Sequence, residues 1–333
     1  MTRLDEKLAR IAADPAGSKE FIICDAKDSD MGFGLAHGGA MRDQDGNENG
    51  RMRSREMFLE QVRAIVEQDI VDLILLSVSN MEQLATREKL FDTSDIAVGI
   101  RANDTTDAWA LRNAAYRQVP SMPFRTAEIA DCVSSEGARR ADIGLYSITF
   151  NNDAEADRHS LESFRDFRRE AVAAGFPYFL EVFNPNLEQG LTPEGMPSYV
   201  NDCIIRSLAA VPQNARPRFL KVVYNGPRAM EELAGYDPNL IVGVLGGGSG
   251  TTYDCLKLLH DAKKYGARIA LFGRKINLAE DPLGMIRQMR LVADGEVSPA
   301  EAVKAYHAGL AKLGTTPFRS LEDDLRTTDP VLM

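Results

Sequence analysis

Residues 218–226 read Arg-Phe-Leu-Lys-Val-Val-Tyr-Asn-Gly and place one lysine, Lys221, in the middle of an apolar run. The run is short and rich in aromatic and β-branched residues, which indicates a β-strand. Because strand side chains alternate between two faces, Phe219, Lys221 and Val223 share one face. Two interpretations stay open: the lysine stem packs on apolar surface while its ammonium reaches water, or a desolvated amine acts as a nucleophile toward a carbonyl.

Seven further apolar runs of strand length occur in the chain, and apolar residues at helical spacing fill most of the segments between them. The eight predicted strands span 21–25, 71–78, 96–100, 143–150, 178–183, 219–224, 240–245 and 269–272. Predicted helices between them include 55–66, 161–174, 202–211, 253–264 and 300–313. Eight strands alternating with helices predict an α/β fold, a closed (β/α)8 TIM barrel. A doubly wound open sheet is the alternative, and it is disfavoured because no Gly-x-Gly-x-x-Gly follows the first strand.

We expect residues 1–333 to form a single barrel domain, with residues 1–18 as an N-terminal helical extension. Residues 28–51 are rich in Gly, Asp and Asn and form a loop too long for an ordinary connection after the first strand. In a barrel this loop lies on the side of the active site. The loop either covers the site as a lid, or it is a segment that is disordered or that contacts another subunit. A second long segment, 102–137, has no role that the sequence reveals.

The composition is that of a soluble acidic protein, with 44% hydrophobic and 26% charged residues and a formal net charge of −10. The negative charge argues against general nucleic-acid binding. No apolar run approaches the roughly 18 residues of a membrane helix, so we expect no membrane association. The N-terminus lacks the apolar stretch of a secretory signal, which predicts a cytoplasmic protein. The four cysteines are far apart, and their spacing suggests neither a disulfide framework nor a zinc site.

The carboxyl ends of barrel strands converge, and four of the predicted strands carry ionisable or phenolic side chains. They are Asp25 and Lys27 in the first strand, Tyr146 in the fourth, Glu181 in the fifth and Lys221 in the sixth. Each has a structural interpretation: an Asp–Lys ion pair, a core tyrosine, or a carboxylate that neutralises a buried lysine. Together they meet the needs of amine catalysis, in which a lysine nucleophile requires an orienting carboxylate and an acid/base group.

Two glycine-containing turns follow the last two predicted strands. Residues 244–252 read Val-Leu-Gly-Gly-Gly-Ser-Gly-Thr-Thr ahead of a helix, and residues 272–277 read Phe-Gly-Arg-Lys-Ile-Asn. Glycines let backbone N–H groups approach an anion, the hydroxyls of Ser249 and Thr251 and the helix dipole add to its binding, and Arg274 offers a charge-assisted contact. The pattern predicts a phosphate cradle, and close packing of the turns is the structural alternative.

Three motifs in order resemble the last three strands of archaeal-type class I fructose-bisphosphate aldolases, whose superfamily includes deoxyribose-phosphate and tagatose-bisphosphate aldolases. They are Lys-Val-Val-Tyr-Asn-Gly at 221–226, Gly-Gly-Gly-Ser-Gly at 246–250 and Gly-Arg-Lys-Ile-Asn-Leu-Ala-Glu-Asp-Pro at 273–282. The resemblance implies an aldehyde-lyase acting on a sugar phosphate without metal or cofactor, and a homo-oligomer. It implies a Schiff-base Lys221, an aspartate at Asp25 and a proton shuttle at Tyr146. The phosphate contacts that it implies are Gly247, Gly248, Ser249, Gly273 and Arg274.

The chain departs from the family after Asp25, where Ala26, Lys27 and Asp28 replace the usual histidine and glycine, and Glu181 resembles the tagatose-type relatives. These positions, with Lys27 as an expected substrate contact, face the non-phosphate half of the substrate. A ketose phosphate other than fructose 1,6-bisphosphate, or a keto sugar acid, is therefore an equally compatible substrate. The alternatives are a transaldolase-like or thiolase-like transferase using the same lysine and a non-catalytic sugar-phosphate-binding barrel. A metal-dependent aldolase is disfavoured because none of the four histidines falls at a predicted strand end.

Overall fold

The computed structural model describes residues 1–43, 47–134, 140–248 and 250–333. Eight parallel strands close into one barrel surrounded by helices, which confirms the predicted (β/α)8 architecture. The barrel strands are β1 (Ile22–Lys27), β2 (Leu73–Leu76), β3 (Ala97–Arg101), β4 (Ile143–Thr149), β5 (Tyr178–Phe183), β6 (Leu220–Val222), β7 (Val242–Leu245) and β8 (Ile269–Phe272). Their order around the barrel follows the chain, and β1 pairs with both β2 and β8.

The predicted helices lie between the strands with boundaries shifted by a few residues, most at the start of α6. The helices are α1 (Arg3–Ala13), α2 (Ser29–Phe33), α3 (Arg55–Gln68), α4 (Val78–Met81), α5 (Ile129–Cys132), α6 (Ala154–Ala173), α7 (Met196–Ala209), α8 (Pro227–Tyr236), α9 (Thr252–Lys264), α10 (Arg274–Asn277), α11 (Pro282–Asp294), α12 (Pro299–Leu313) and α13 (Leu321–Asp324). A π-helical turn spans Glu82–Arg87. Short 3-10 turns span Gly34–Gly38, Thr106–Ala108, Tyr116–Gln118, Gln213–Ala215 and Pro330–Leu332.

Helix α1 packs against one end of the barrel interior. Its first turn is held by a capping box, in which the Thr2 hydroxyl accepts the Asp5 N–H and the Asp5 carboxylate accepts the Thr2 N–H. Its apolar face carries Leu4, Leu8 and Ile11, which join the cluster of inward-facing strand side chains. Burying each of these side chains contributes about 1.5–3 kcal/mol, so the N-terminal helix is part of the core rather than an appendage.

Every barrel strand is buried on both of its faces. Alternate side chains fill the barrel interior, and the others pack against the surrounding helices. Around β6, Phe219 and Lys221 point inward, whereas Leu220 and Val222 point toward the helices. The same alternation decides which of the predicted site residues reach the interior.

The described parts of the two long segments, 28–43 with 47–51 and 102–134, lie over the carboxyl-terminal end of the barrel. Residues 28–51 contain α2, a 3-10 turn and a hairpin of Ala40–Arg42 with Glu48–Met52. Residues 102–137 contain a smaller hairpin of Asp104–Thr105 with Pro123–Phe124. Both segments contribute side chains to the cavity described below.

None of the helices in the described ranges combines the length and the apolar character needed to cross a membrane. None of the four cysteines forms a disulfide; Cys24, Cys132 and Cys255 are buried and Cys203 is half-buried. Burial raises the pKa of the Cys132 and Cys203 thiols to about 11, which keeps them protonated at neutral pH. Protonated thiols are weak nucleophiles, so neither of these two cysteines has the character of a reactive group.

Candidate active site

Lys221 lies on the inner face of β6, 5% exposed, beside a cavity of about 160 Å³ at the carboxyl-terminal end of the barrel. Its Nζ is 2.6 Å from Oε1 of Glu181. The two residues are register partners on β6 and β5. Two residues earlier on each strand, Phe219 and Phe179 stack with their ring centroids 4.5 Å apart and close the floor beneath the pair. The structure thus brings these two predicted site residues together.

Arg101, at the end of β3, orients the carboxylate of this pair and was not among the predicted site residues. Its Nε donates to Oδ2 of Asp28 at 2.5 Å, and its Nη1 donates to the Ser147 hydroxyl at 3.1 Å. Its Nη2 donates to Oε2 of Glu181 at 3.3 Å, and Ser147 donates to the same oxygen at 2.7 Å. Two donors therefore hold Oε2 and leave Oε1 directed at Lys221, which fixes the orientation of the carboxylate.

The two aspartates around this network have pKa values shifted in opposite directions. Burial opposes the charged form of Asp28, but Arg101 and Lys221 outweigh it and lower the pKa of Asp28 below its usual value. Asp104 behaves in the opposite way. Burial raises the pKa of Asp104 to about 6, Arg101 opposes the rise, and Asp28 and Asp30 add to it. The cavity therefore holds one carboxyl group that titrates close to neutral pH.

Glycines shape the rim of the cavity at the turns after β7 and β8. Gly247 has φ +53°, a left-handed conformation that favours glycine. A side chain at Gly273 would place its Cβ 2.6 Å from the carbonyl oxygen of Ala26, so only glycine lets this turn approach β1. Both residues line the cavity, and both belong to the turns in which a phosphate cradle was expected. Gly248 lies beside them against the Arg274 guanidinium, and the predicted contact Ser249 lies outside the described residues.

Two arginines from different loops line the cavity mouth. The Arg274 guanidinium, from the turn after β8, lies 5.8 Å from the centroid of the Phe33 ring in α2. Arg117 comes from the 102–137 segment, and its Nε donates to the carbonyl oxygen of Asp107 at 2.8 Å. Partial burial and the nearby charge of Arg117 both lower the pKa of Arg274. In the described ranges neither guanidinium has a carboxylate within salt-bridge distance, so the mouth has two cations that are not neutralised.

The structure does not bring Asp25 and Lys27 into this cavity, which corrects their expected convergence with Lys221. Both side chains are fully buried between β1 and the helix layer. The Nζ of Lys27 is 3.2 Å from Asp25 and donates to Gln61 at 2.6 Å and to the side-chain oxygen of Asn277. Burial raises the pKa of Asp25 to about 6 and lowers that of Lys27, and each residue partly offsets the shift of the other. The ion-pair interpretation fits this arrangement.

Tyr146 is likewise turned away from the cavity. It is 1% exposed, and its ring stacks on Phe167 of α6 at a centroid distance of 4.4 Å and contacts Phe164 at 5.3 Å. Burial raises the pKa of its hydroxyl. The inward neighbours on β4 are Leu145 and Ser147 instead. The placement matches a core tyrosine and corrects the expectation that its phenol shuttles protons beside Lys221.

The sequence also indicates Arg101 as a site residue, although the predicted strand ends one residue before it. Arg101 directly follows the predicted apolar strand 96–100, and a charged residue at a barrel strand end points to the site. Asp28 was one of the positions at which the sequence departs from the aldolase pattern, whereas Asp104 and Arg117 had no comparable signal, because they lie in a long segment whose path a strand count does not determine. In the described ranges, no group of three or more His, Cys, Asp or Glu side chains is arranged to hold a metal ion. Metal-independent chemistry stays a prediction.

No known protein family model and no curated protein sequence matches this chain. Among solved structures, an archaeal fructose 1,6-bisphosphate aldolase aligns with a TM-score of 0.58 and 19% identity over 88% of this chain and 100% of that chain. An archaeal fructose-1,6-bisphosphate aldolase with its catalytic lysine bound to the carbinolamine intermediate gives 0.59 and 17% over 88% and 100%. A protein from Corynebacterium glutamicum gives 0.57 and 18% over 88% and 97%. The chain is thus structurally similar to archaeal class I aldolases, and at this low identity the similarity shows a shared barrel fold.

Proposed function

We propose that this protein is a class I aldolase, a lyase that cleaves or forms a carbon–carbon bond in a phosphorylated ketose or related keto sugar. The observation that carries the proposal is the 2.6 Å contact between Lys221 and Glu181 on the floor of the barrel cavity. A buried amine beside an oriented carboxylate provides both the nucleophile and the proton acceptor that Schiff-base formation requires. The fold shared with the archaeal class I aldolases supports the same conclusion.

In the proposed reaction Glu181 accepts a proton from the Lys221 ammonium, and the neutral amine adds to the ketone carbon. Glu181 then returns the proton to the carbinolamine hydroxyl, which leaves as water and gives an iminium ion. The bond between the α- and β-carbons then breaks: its electron pair moves toward the iminium and leaves an enamine on Lys221, while the β-hydroxyl gives its proton to a base in the cavity and departs as the oxygen of an aldehyde. Protonation of the enamine and addition of water release the ketone and regenerate the lysine. Arg101 and Ser147 keep the carboxylate aligned through these steps.

The mouth of the cavity supports a phosphate-bearing substrate. Arg274 and the glycine turns after β7 and β8 keep their proposed role as a phosphate cradle, and Arg117 joins them from the opposite loop. Two cations that have no carboxylate partner among the described residues, beside backbone that is accessible at glycines, favour an anionic ligand. Asp25, Lys27 and Tyr146 have no part in this proposal, because they pack in the helix layer.

The test is borohydride trapping with dihydroxyacetone phosphate, followed by intact-mass and peptide mass spectrometry. We expect one adduct, mapped to Lys221 in the unmodified protein and absent from Lys221→Met. Lys27→Met is the matched control, since it removes a second buried lysine that faces the helix layer; it should still trap the ketone. No adduct, or an adduct that maps to another lysine, would refute the Schiff-base mechanism. With an adduct present, product analysis with an added aldehyde acceptor separates an aldolase from a transaldolase-like or thiolase-like transferase.

A further inference from the structure

One carboxylate in the cavity lining, Asp104, has no role in the proposed reaction. The lining contains three carboxylates, Asp28, Glu181 and Asp104, together with the cations Lys221, Arg101, Arg117 and Arg274. Asp28 pairs with Arg101, and Glu181 pairs with both cations. In the part of the chain that the structure describes, the Asp104 carboxylate receives no hydrogen bond and forms no salt bridge, although the residue is only 3% exposed. Its oxygens are therefore free to interact with a ligand in the cavity.

Asp104 is held rigidly with respect to the Lys221–Glu181 pair. Its backbone pairs with Phe124 in the short hairpin of the 102–137 segment. The side-chain amide of the preceding residue, Asn103, is hydrogen-bonded to the backbone of β4 through both its nitrogen and its oxygen. Its Nδ2 donates to the carbonyl oxygen of Ser147 at 2.9 Å, and its Oδ1 accepts the Ser147 N–H at 2.6 Å. Ser147 also donates to Glu181, so the same strand residue contacts both Glu181 and the residue before Asp104.

We propose that Asp104 is the catalytic base that takes the proton from the substrate hydroxyl whose carbon becomes the aldehyde. This inference rests on the proposed function. The O–H proton passes to the Asp104 carboxylate, the oxygen forms the aldehyde C=O, and the electron pair of the breaking carbon–carbon bond passes to the iminium on Lys221. In the synthetic direction the protonated Asp104 returns the same proton to the aldehyde oxygen. No other reactant is required.

The other titratable groups in the cavity lining are engaged or unsuited to this step. Glu181 is bound by Lys221, Arg101 and Ser147, and the Asp28 pKa is lowered by the arginine that binds it. The pKa of Asp104 of about 6 leaves it mostly unprotonated at neutral pH yet basic enough to accept a proton. Arg101, Asp28 and Asp30 act electrostatically on Asp104, and the other charged groups that line its cavity are Glu181, Lys221, Arg117 and Arg274.

The experiment uses the full chain and the variants Asp104→Asn and Asp104→Glu. The substrate is the ketose phosphate that the wild-type chain forms from dihydroxyacetone phosphate and D-glyceraldehyde. We expect Asp104→Asn to lower cleavage by about 10²–10⁴-fold, the usual range for loss of an acid/base group, while borohydride trapping of dihydroxyacetone phosphate is retained. Wild-type kcat/KM should fall below about pH 6, and this acid limb should disappear in Asp104→Asn. Asp104→Glu should restore part of the rate and the acid limb.

The matched control is Asp107→Asn, a carboxylate three residues away that accepts hydrogen bonds from Ser121 and Thr149 outside the cavity lining. It should keep the acid limb. If Asp104→Asn cleaves the substrate at a rate within about threefold of wild type, or is slow but keeps the acid limb, Asp104 is not the base. Either result would overturn this inference and leave the proposed function standing. A wild-type chain that traps no ketone or forms no ketose would instead refute the proposed function, and this inference with it.

Discussion

The Nζ of Lys221 and the Oε1 of Glu181 lie 2.6 Å apart as register partners on adjacent parallel strands, inside a barrel whose floor is closed by stacked phenylalanines. Register pairing places these two inward side chains next to each other on neighbouring parallel strands, so the contact follows from the fold and needs no loop to hold it. Each side chain is almost fully shielded from water. The pair is therefore preorganised before a ligand arrives.

Glu181→Gln should nearly abolish turnover. Glutamine keeps an oxygen for the Ser147 hydroxyl but cannot accept the proton of Lys221 or neutralise its charge, so we expect kcat to fall by about 100-fold or more. Leaving the buried Lys221 ammonium unpaired should also lower the free energy of unfolding by about 3 kcal/mol, measurable by urea denaturation. Glu181→Asp, which keeps the charge, is the control. Full turnover in the glutamine variant would contradict the role of this carboxylate.

Tyr146→Phe should leave turnover within about twofold of wild type, because the phenol points into the helix layer, where the ring stacks on Phe167. Steady-state rates check this expectation. Tyr146→Ala is the informative contrast, since removing the buried ring should lower the free energy of unfolding by about 3–5 kcal/mol. A hundredfold loss of kcat in the phenylalanine variant, with folding intact, would show that this hydroxyl acts in the reaction after all.

Asp104→Asn should stabilise the protein at pH 7.5. The folded-state pKa of about 6 exceeds the usual 3.8, so the native state binds more protons than the unfolded state between about pH 4 and 6. Wild-type stability from this group is therefore present at low pH and lost as pH rises through 6. Asparagine is uncharged at every pH and so has no buried charge that would destabilise the folded state. We therefore expect Asp104→Asn to raise the free energy of unfolding at pH 7.5 by about 1–3 kcal/mol. Denaturation of the wild type and of Asp104→Asn from pH 4.5 to 7.5 should show that the difference between their free energies of unfolding shrinks as the pH falls. A constant difference would contradict this account.

Arg274→Ala and Arg117→Ala should each weaken the binding of phosphorylated ligands. Losing one charge-assisted contact costs about 1.5–3 kcal/mol, so the KM for a ketose phosphate should rise by about 10- to 100-fold. Unphosphorylated dihydroxyacetone should bind each variant as it binds the wild type. Arg112→Ala, an exposed arginine of the same segment as Arg117 that does not line the cavity, is the matched control. Equal losses with both ligands would mean that these arginines do not bind phosphate.

The sequence alone determined the barrel and the identity of the central lysine. The apolar runs and helical spacing predicted eight strands in the right order, and the wall of the barrel follows from that count because each strand is completed by hydrogen bonds to two neighbours. The turns around Gly247 and Gly273 were also readable, since glycine is required where backbone turns left-handed or approaches another strand closely.

Only the tertiary structure decided which face of each strand looks inward. A barrel strand is apolar on both faces, because one face meets the interior and the other meets the helices, so alternation in sequence cannot tell the two apart. The closed register turned Glu181 and Lys221 inward and placed Asp25, Lys27 and Tyr146 in the helix layer. It also brought Arg101, Asp28 and Asp104 to the lysine from positions far apart in the chain, because only the closing of the barrel and the paths of its long loops make them neighbours.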